Sequence, residues 1–284
     1  CSKGLREKYG DLRMKDSPIS EAGFTGMCIG MALTGMRPIS EIMFADFMLV
    51  AMDQIVNQMN KVCYMSGGQK NVPMVIRTTI GAGRAAAAQH SQSLLAPIAH
   101  FPGAKIVIPS DAYTAKGLLK SAIRDNNPVI VVEHRKQFSM EYDMPDDADE
   151  NLLIPIGKSA VVHEGTDVTV VASAYQVGQC VNVAKHLEKK GISVEVIDLR
   201  TLVPLDKETI VKKTGRLLIV DEGYESFGVA AEITAAIEKD VFYDLDMPIS
   251  RLAAPDVPIP FSPALEKLIV PTEKTILNAI KELV

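Results

Sequence analysis

Short apolar runs alternate with longer segments of helical periodicity along most of the chain. In the first half, the pattern predicts strands at 39–44, 72–77, 105–108 and 129–133, and helices at 21–35, 52–63 and 112–124. In the second half, it predicts strands at 168–172, 194–197 and 217–220, and helices at 175–190, near 206–213, at 227–239 and from about 273. This alternation is typical of parallel sheets covered by helices on both faces. We therefore expect two three-layer α/β/α domains.

A stretch of acidic residues divides the two series of elements. Residues 141–150 contain six acids and one proline and show no periodicity, a composition typical of a solvated linker. We therefore expect a first domain at 1–140, an acidic linker at 141–155 and a second domain at 156–284.

The first long helix begins with a carboxylate and carries glycines along one side. Ser20 is a favourable N-cap, which places Glu21 in the first turn. Gly23, Gly26 and Gly30 follow at spacings of three and four, so they share one face. Each glycine lowers helix stability by about 1 kcal/mol, so the face predicts close approach of another backbone or a ligand. Taken alone, Glu21 is better explained as a favourable partner of the helix dipole than as a functional residue.

Ligands of open α/β sheets bind beyond the carboxyl ends of the strands. Three candidates of the first domain lie at such positions: Glu21, the pair Asp46-Phe47, and the loop 81–90 that ends at His90. His90 follows a glycine-containing loop among amides and hydroxyls, where it could act as an acid or base or serve a structural role. The loop lacks the glycine pattern and the lysine of a nucleotide-phosphate site.

Composition narrows the class of protein. With 47% hydrophobic and 23% charged residues, the chain of 284 residues has the composition of an ordinary globular protein. A net charge of −5 without a basic cluster argues against nucleic acid or membrane as partners. Its four cysteines form no CxxC pair, which is typical of a reducing compartment. We expect a cytoplasmic protein, or one of the mitochondrial matrix if the source is eukaryotic.

Seven stretches resemble, in order and across essentially the whole chain, the β subunit of 2-oxoacid dehydrogenase E1 components. They are DSPISE at 16–21, DQIVNQ at 53–58, YMSGG at 64–68, AQHSQS at 88–93, KGLLKSAIRD at 116–125, VIDLRTL at 196–202 and AAPD at 253–256. This family includes the pyruvate, branched-chain 2-oxoacid and acetoin dehydrogenases. Its members have a longer N-terminus with a first strand ending in Gly-Glu-Asp, so we expect further sequence before Cys1.

The resemblance implies a pyrimidine-binding domain followed by a transketolase C-terminal domain, with thiamine diphosphate as cofactor. In this family an α subunit holds the diphosphate and Mg²⁺ through a Gly-Asp-Gly motif, which this sequence lacks. The implied partners are therefore an E1 α subunit, in an α2β2 heterotetramer, and an E2 dihydrolipoyl acyltransferase. The implied substrate is a small 2-oxo acid or acetoin. Two alternatives remain open: a thiamine-dependent transketolase or synthase half-subunit without a lipoyl partner, and a non-catalytic scaffold chain.

Roles for four residues follow from the same resemblance. Glu21 matches the glutamate that hydrogen-bonds the pyrimidine ring nitrogen and activates the cofactor. Phe47 matches an aromatic residue packed near the pyrimidine, and Ile19 matches a residue that lines this pocket. His90 matches a histidine near the substrate and the incoming lipoyl group, which handles protons during acyl transfer.

The resemblance also implies a potassium site that is found in some members. Its ligands would come from Asp125 and Asn127, with the carbonyl groups of Ala122, Ile123 and Met74. The alternative for this segment is a helix-ending turn before the following proline.

Overall fold

The computed structural model describes residues 2–146, 148–211 and 214–284. Its strands are β1 (Ile39–Ile42), β2 (Val75–Ile80), β3 (Lys105–Val107), β4 (Val129–His134), β5 (Ala160–His163), β6 (Val168–Ala172), β7 (Val194–Asp198), β8 (Thr201–Val203), β9 (Leu217–Tyr224) and β10 (Ser250–Ala254). Its α-helices are α1 (Leu5–Tyr9), α2 (Glu21–Leu33), α3 (Val62–Met65), α4 (Leu95–His100), α5 (Ala112–Arg124), α6 (Tyr175–Glu188), α7 (Lys207–Ile210), α8 (Val229–Val241), α9 (Pro263–Ile269) and α10 (Glu273–Lys281). Within the described ranges, no helix is both long and apolar enough to cross a membrane.

The strands form two five-stranded sheets, in the orders β1-β2-β4-β3-β8 and β10-β9-β6-β7-β5. Four neighbouring strands of each sheet are parallel, as the pattern predicts. The last strand of each order is antiparallel: β8 pairs with β3, and β5 pairs with β7. The two-domain α/β fold is confirmed, and each sheet is mixed through one edge strand.

Apolar side chains cover both faces of the first sheet. Alternate residues of β4 point to opposite sides, so Ile130 joins one apolar cluster while Val129 and Val131 join another. Helix α2 packs on the first side through Ile29, and helix α5 packs on the second through Leu118. Burial on both faces explains why these strands read as continuous apolar runs.

The second sheet has the same construction, and one of its cores is continuous with the first sheet. Val170 and Val196 pack with α6 and α10 on one face. Val171 and Ile219 on the other face belong to the cluster that also contains Ile130 of the first sheet. The two domains therefore share a buried apolar core.

Several segments differ from the expectation. Residues 52–63, predicted as one helix, form a π-helical turn at Gln54–Met59 followed by the short α3, after a 3-10 turn at Ala45–Leu49. Ile55, Val56 and Met59 are buried as their apolar spacing predicts, so the periodicity identified the buried face but not the type of helix. Helices α1, α4 and α9 and strands β5 and β8 were not predicted.

The region between the domains is only partly a solvated linker. The acidic half of 141–155 is largely exposed, with Asp147 lying outside the described residues. Leu152 and Ile154 are buried against α5, because a leucine and an isoleucine gain free energy by leaving water. The chain also returns to the first sheet later, since β8 at Thr201–Val203 extends it. Residues 212–213 of the helix predicted near 206–213 lie outside the described residues, and α7 covers Lys207–Ile210.

Candidate functional site

The topology places the candidate residues Glu21, Asp46-Phe47 and the loop 81–90 at one edge of the first sheet. Helix α2 leads into β1 through the short connection 34–38. The helix and the strand therefore run in opposite directions, and α2 begins at the edge where β1 ends. Parallel strands end at the same edge, so the loop 81–90 that follows β2 also starts there.

Glu21 is the first residue of α2, as predicted, and its side chain is half-buried. Ser20 occupies the N-cap position, but its hydroxyl donates to the carbonyl oxygen of Pro18 at 3.3 Å instead of accepting from the helix. Within the described residues, the Glu21 carboxylate forms no hydrogen bond or ion pair with the protein. Ile19, two residues earlier, is 91% exposed. The structure thus leaves the predicted carboxylate free for a group from outside this chain.

His90 and Phe47, two of the predicted residues, lie in one aromatic cluster. The His90 ring meets Phe44 edge-to-face with centroids 4.8 Å apart and Phe47 in the same way at 5.2 Å. Phe44 and Phe47 meet at 5.9 Å, and the Arg135 guanidinium lies over Phe44 at 4.3 Å. Perpendicular aromatic contacts of this kind are favourable and fix the plane of the imidazole. Phe44 was not among the predicted site residues.

Asp46 holds the chain just beyond His90. It is 7% exposed and accepts hydrogen bonds from the side-chain nitrogen of Gln92 at 2.8 Å and from its backbone N–H at 3.4 Å. Burial raises the pKa of the Asp46 carboxyl, although the bonds from Gln92 oppose the shift. Sequence reasoning marked Asp46 only by its position after a strand, and it gave Gln92 no role.

The loop 81–90, called here the His90 loop, is held by two carboxylates of the second domain. The N–H of Ala82 donates to Glu222 Oε1 at 2.7 Å. The N–H groups of Gly83 and Ala85 donate to the two carboxylate oxygens of Glu266, at 2.5 and 3.1 Å. Neither glutamate was predicted to belong to the site. They lie 140 and 183 residues from their partners in sequence, beyond the reach of any local pattern.

Glu222 also pairs with a histidine of the first sheet. His134 Nε2 lies 2.9 Å from Glu222 Oε2, and both side chains are nearly inaccessible to solvent. The Tyr175 ring stacks on His134 with centroids 5.1 Å apart. Burial would raise the pKa of Glu222, but His134, the Ala82 N–H and Lys136 together hold it well below its usual range. Glu222 is therefore a carboxylate across the physiological range.

Protein cations contact the predicted potassium segment. The Arg37 guanidinium donates to the carbonyl oxygens of Ile123 at 3.1 Å and of Asp125 at 2.8 Å. The Asp125 carboxylate pairs with Lys105 at 2.5 Å. Burial opposes ionisation of Asp125, but Lys105 and Asn127 outweigh it and lower its pKa.

The remaining predicted ligands take part in the helix end and the sheet. Asn127 donates to Asp125 Oδ1 at 2.9 Å, and the carbonyl of Ala122 accepts from the Asp125 N–H at 3.3 Å. The Met74 carbonyl accepts from the Val129 N–H at 3.0 Å. In the part of the chain that the structure describes, no group of three or more His, Cys, Asp or Glu is arranged to hold a metal ion. Potassium binding stays a prediction.

Comparison with known proteins covers nearly the whole chain. Residues 2–140 match the transketolase pyrimidine-binding domain family, and residues 157–276 match the transketolase C-terminal domain family. The chain is 48% identical to the mitochondrial pyruvate dehydrogenase E1 component subunit β of Bos taurus, over 99% of this chain and 80% of that protein. It is 45% identical to the acetoin:2,6-dichlorophenolindophenol oxidoreductase subunit β of Bacillus subtilis (strain 168), over 99% and 82%.

A solved structure described as a split-gene transketolase, inactive β4 tetramer, superimposes with a TM-score of 0.79. That alignment covers 99% of this chain and 87% of the other at 24% identity, so it supports the fold alone. The resemblance found from the seven stretches is confirmed by these curated relatives, of which the bovine protein is an E1 β subunit by name and the bacterial one the β subunit of an acetoin oxidoreductase. The chain belongs to the family of E1 β subunits that includes those of pyruvate and acetoin dehydrogenases.

Proposed function

We propose that this chain is the β subunit of a thiamine-diphosphate-dependent E1 that is active only with an α subunit, in an α2β2 heterotetramer. The complex would decarboxylate a small 2-oxo acid, or cleave acetoin, and transfer the acyl or aldehyde unit to the lipoyl group of an E2 acyltransferase. Relatives of both substrate types match 99% of the chain at 45–48% identity, which favours E1 over a transketolase half-subunit or a scaffold.

The observation that carries this proposal is the Glu21 carboxylate at the start of α2. It is half-buried and, within the described residues, has no protein partner. The aromatic cluster of Phe44, Phe47 and His90 lies at the same edge of the sheet. A carboxyl group and aromatic rings at one edge of a sheet fit an aminopyrimidine, which combines a flat apolar face with a ring nitrogen that can accept a proton.

Each residue then has a task toward the cofactor or the substrate. When bound, thiamine diphosphate supplies the carbon centre that adds to the carbonyl and accepts the electrons released with carbon dioxide. Glu21 would hold a proton at the pyrimidine ring nitrogen, with Phe47 and Ile19 against the ring. His90 would move protons near the substrate and the lipoyl group.

The partner chains supply what this chain lacks. The α subunit would hold the diphosphate and Mg²⁺, because the sequence has no Gly-Asp-Gly motif. Potassium would bind, if at all, at the end of α5, where Arg37 already contacts the carbonyl of Ile123. We place the complex in the cytoplasm, or in the mitochondrial matrix in a eukaryote, as the name of the bovine relative supports.

The test is co-expression with the α-like chain of the same source. Purified complex is assayed with thiamine diphosphate and Mg²⁺ against pyruvate, branched-chain 2-oxo acids and acetoin, with a dye acceptor and with lipoylated E2 domain. We expect a stable heterotetramer, cofactor-dependent turnover of one substrate class, and acylation of the lipoyl domain. A complex that assembles and binds thiamine diphosphate but turns over none of these substrates would contradict the proposal.

A further inference from the structure

We propose that Glu266 is a positioning residue for His90: from the second domain, it fixes the backbone of the His90 loop, together with Glu222. The catalytic consequence of this proposal rests on the proposed function, whereas the structural consequence does not. Its basis is the conformation of the loop and the convergence of three N–H groups on two buried carboxylates.

The backbone of the His90 loop is held in a conformation that two of its residues disfavour. Gly81 and Gly83 have φ values of 110° and 92°, which glycine adopts without strain. Ala85 and Ala87 have φ values of 53° and 60°, in the left-handed region that side chains with a Cβ rarely adopt. Residues in such conformations persist only where the surrounding structure imposes them. The loop therefore depends on contacts outside itself.

Glu266 supplies two of those contacts from a buried position. The residue is 2% exposed, and its two carboxylate oxygens accept from the N–H groups of Gly83 and Ala85. Within the described residues, no Lys, Arg or His side chain forms an ion pair with it. A buried carboxylate is stable only when hydrogen bonds replace its hydration, and charge-assisted bonds of this kind are the stronger class. Loop and carboxylate therefore stabilise each other.

Glu222 fixes the beginning of the loop. Its carboxylate accepts from Ala82 and pairs with His134, which is itself buried at the end of β4. A Cβ at Gly81 would lie 2.0 Å from His134 Nε2, so the chain passes this histidine at a distance that only glycine allows. The first residues of the loop therefore lie against His134 and Glu222, which contact each other.

His90 lies between these anchors and a third one. Before it, Glu222 and Glu266 hold the backbone at residues 82–85. After it, Asp46 holds Gln92 through two hydrogen bonds. Phe47 belongs to the aromatic cluster that packs on the imidazole between them. The contacts before His90 come from Glu222 and Glu266 of the second domain. The second domain therefore helps to place His90, a residue of the first domain.

The experiment replaces Glu266 by glutamine in the full chain, assembled with its α subunit. Glu266→Gln keeps the shape and one acceptor oxygen but presents an NH₂ group to one of the two loop N–H groups. Glu238→Gln on α8, an exposed glutamate, removes the same charge and serves as the matched control. The first measurement is amide hydrogen exchange of peptides covering residues 82–90. We expect exchange in this segment to rise about tenfold in Glu266→Gln, and to be unchanged in the control and in α10.

The second measurement separates the two half-reactions. We expect Glu266→Gln to slow acylation of the lipoyl domain about tenfold, with a smaller effect on decarboxylation and an unchanged KM for the 2-oxo substrate. A purely structural role would instead lower thermal stability and both half-reactions together. Glu266→Asp retains both acceptor oxygens on a shorter stem, and we expect it to recover part of the lipoyl acylation.

The outcomes distinguish this proposal from the proposed function. If Glu266→Gln leaves hydrogen exchange at residues 82–90 unchanged, Glu266 does not fix the loop. An equal rise of exchange across the second domain would contradict the proposal too, because the effect would not be specific to the loop. Raised exchange at 82–90 with wild-type lipoyl acylation would overturn the positioning of His90. If the wild-type complex shows no thiamine-diphosphate-dependent turnover while Glu266→Gln still frees the loop, the anchor stands and the proposed function fails.

Discussion

Two regions at the same edge of the first sheet use carboxylates in opposite ways. At the start of α2, Glu21 is half-buried and has no protein partner among the described residues. At the junction of the two domains, Glu266 is buried and accepts two backbone N–H groups of the His90 loop, and the nearly inaccessible Glu222 accepts one. Hydrogen bonds from the protein hold a carboxylate in place and occupy the oxygens that a ligand would otherwise use. The unsatisfied carboxylate is therefore the one suited to chemistry, and the satisfied ones are suited to holding the site together.

Removing the charge of Glu21 at the start of α2 should have the largest effect on activity. Glu21→Gln keeps the size of the side chain but can neither hold nor release a proton at the pyrimidine nitrogen. We expect kcat of the assembled complex to fall at least about a hundredfold, with thermal stability and assembly unchanged. Glu7→Gln, also in the first turn of a helix, is the matched control and should remain fully active. An active Glu21→Gln complex would assign this carboxylate to the helix dipole alone.

A substitution at the junction of the two domains should instead lower the stability of the folded chain. Gly81→Ala places a methyl group 2.0 Å from His134 Nε2 at a φ of 110°, so His134 or the loop must move. We expect the free energy of unfolding of the chain to fall by about 3 kcal/mol, measured by urea denaturation. Gly178→Ala on α6, where a Cβ meets nothing within 4 Å, is the control and should not destabilise. An unchanged denaturation midpoint for Gly81→Ala would show that the junction is not closely packed there.

These two predictions had different origins. The position of Glu21 at the start of a helix could be predicted from sequence, because a helix N-cap and an acid in the first turn are local signals within three residues. Likewise, the apolar spacing of residues 112–124 predicts α5 at Ala112–Arg124, where the structure has it. The role of Glu21 toward the cofactor followed only from the resemblance carried by DSPISE at 16–21 and the other matching stretches. The second prediction could not be made from sequence, because the loop alone does not reveal that His134 lies beside Gly81.

The same limit explains the errors in the fold. Strand β8 joins the first sheet from within the second half of the chain, and its partner β3 is nearly a hundred residues away. Glu266 lies on a short helix that follows a proline-rich segment, with no neighbouring pattern to mark it as part of a site. Local periodicity reports which face of a segment is buried. It does not report which distant segment buries it.

A third carboxylate tests whether the junction is sensitive to pH. Asp198 is fully buried at the end of β7, where Ser110 of the first domain donates to it at 2.5 Å. Burial raises the pKa of Asp198 from its ordinary value of 3.8 to about 6, against the opposing effect of Ser110 and Arg200. Because the folded-state value is the higher one, its stability contribution is full below about pH 4 and is lost as the pH rises through 6.

Asp198→Asn should remove this dependence. We expect the variant and the wild type to be equally stable near pH 4, and the variant to be more stable by on the order of 2 kcal/mol at pH 7. Urea denaturation at intervals between these values measures the difference. Asp240→Asn on α8, an exposed aspartate, is the control and should follow the wild type throughout. A difference that is constant over this range would mean that Asp198 is already ionised at pH 4.

The smallest expected effect concerns the glycine face of α2 and tests whether this face contacts another subunit. Gly30 lies on the glycine face of α2, is exposed, and has nothing within 4 Å of an added Cβ. In the chain alone, Gly30→Ala should therefore raise the free energy of unfolding by about 1 kcal/mol through helix propensity. If this face packs closely against another subunit, the same methyl group should weaken the α2β2 complex, measured as its dissociation constant. Gly178→Ala gives a similar propensity gain on α6, so equal behaviour of the two variants in assembly would exclude the glycine face from the interface.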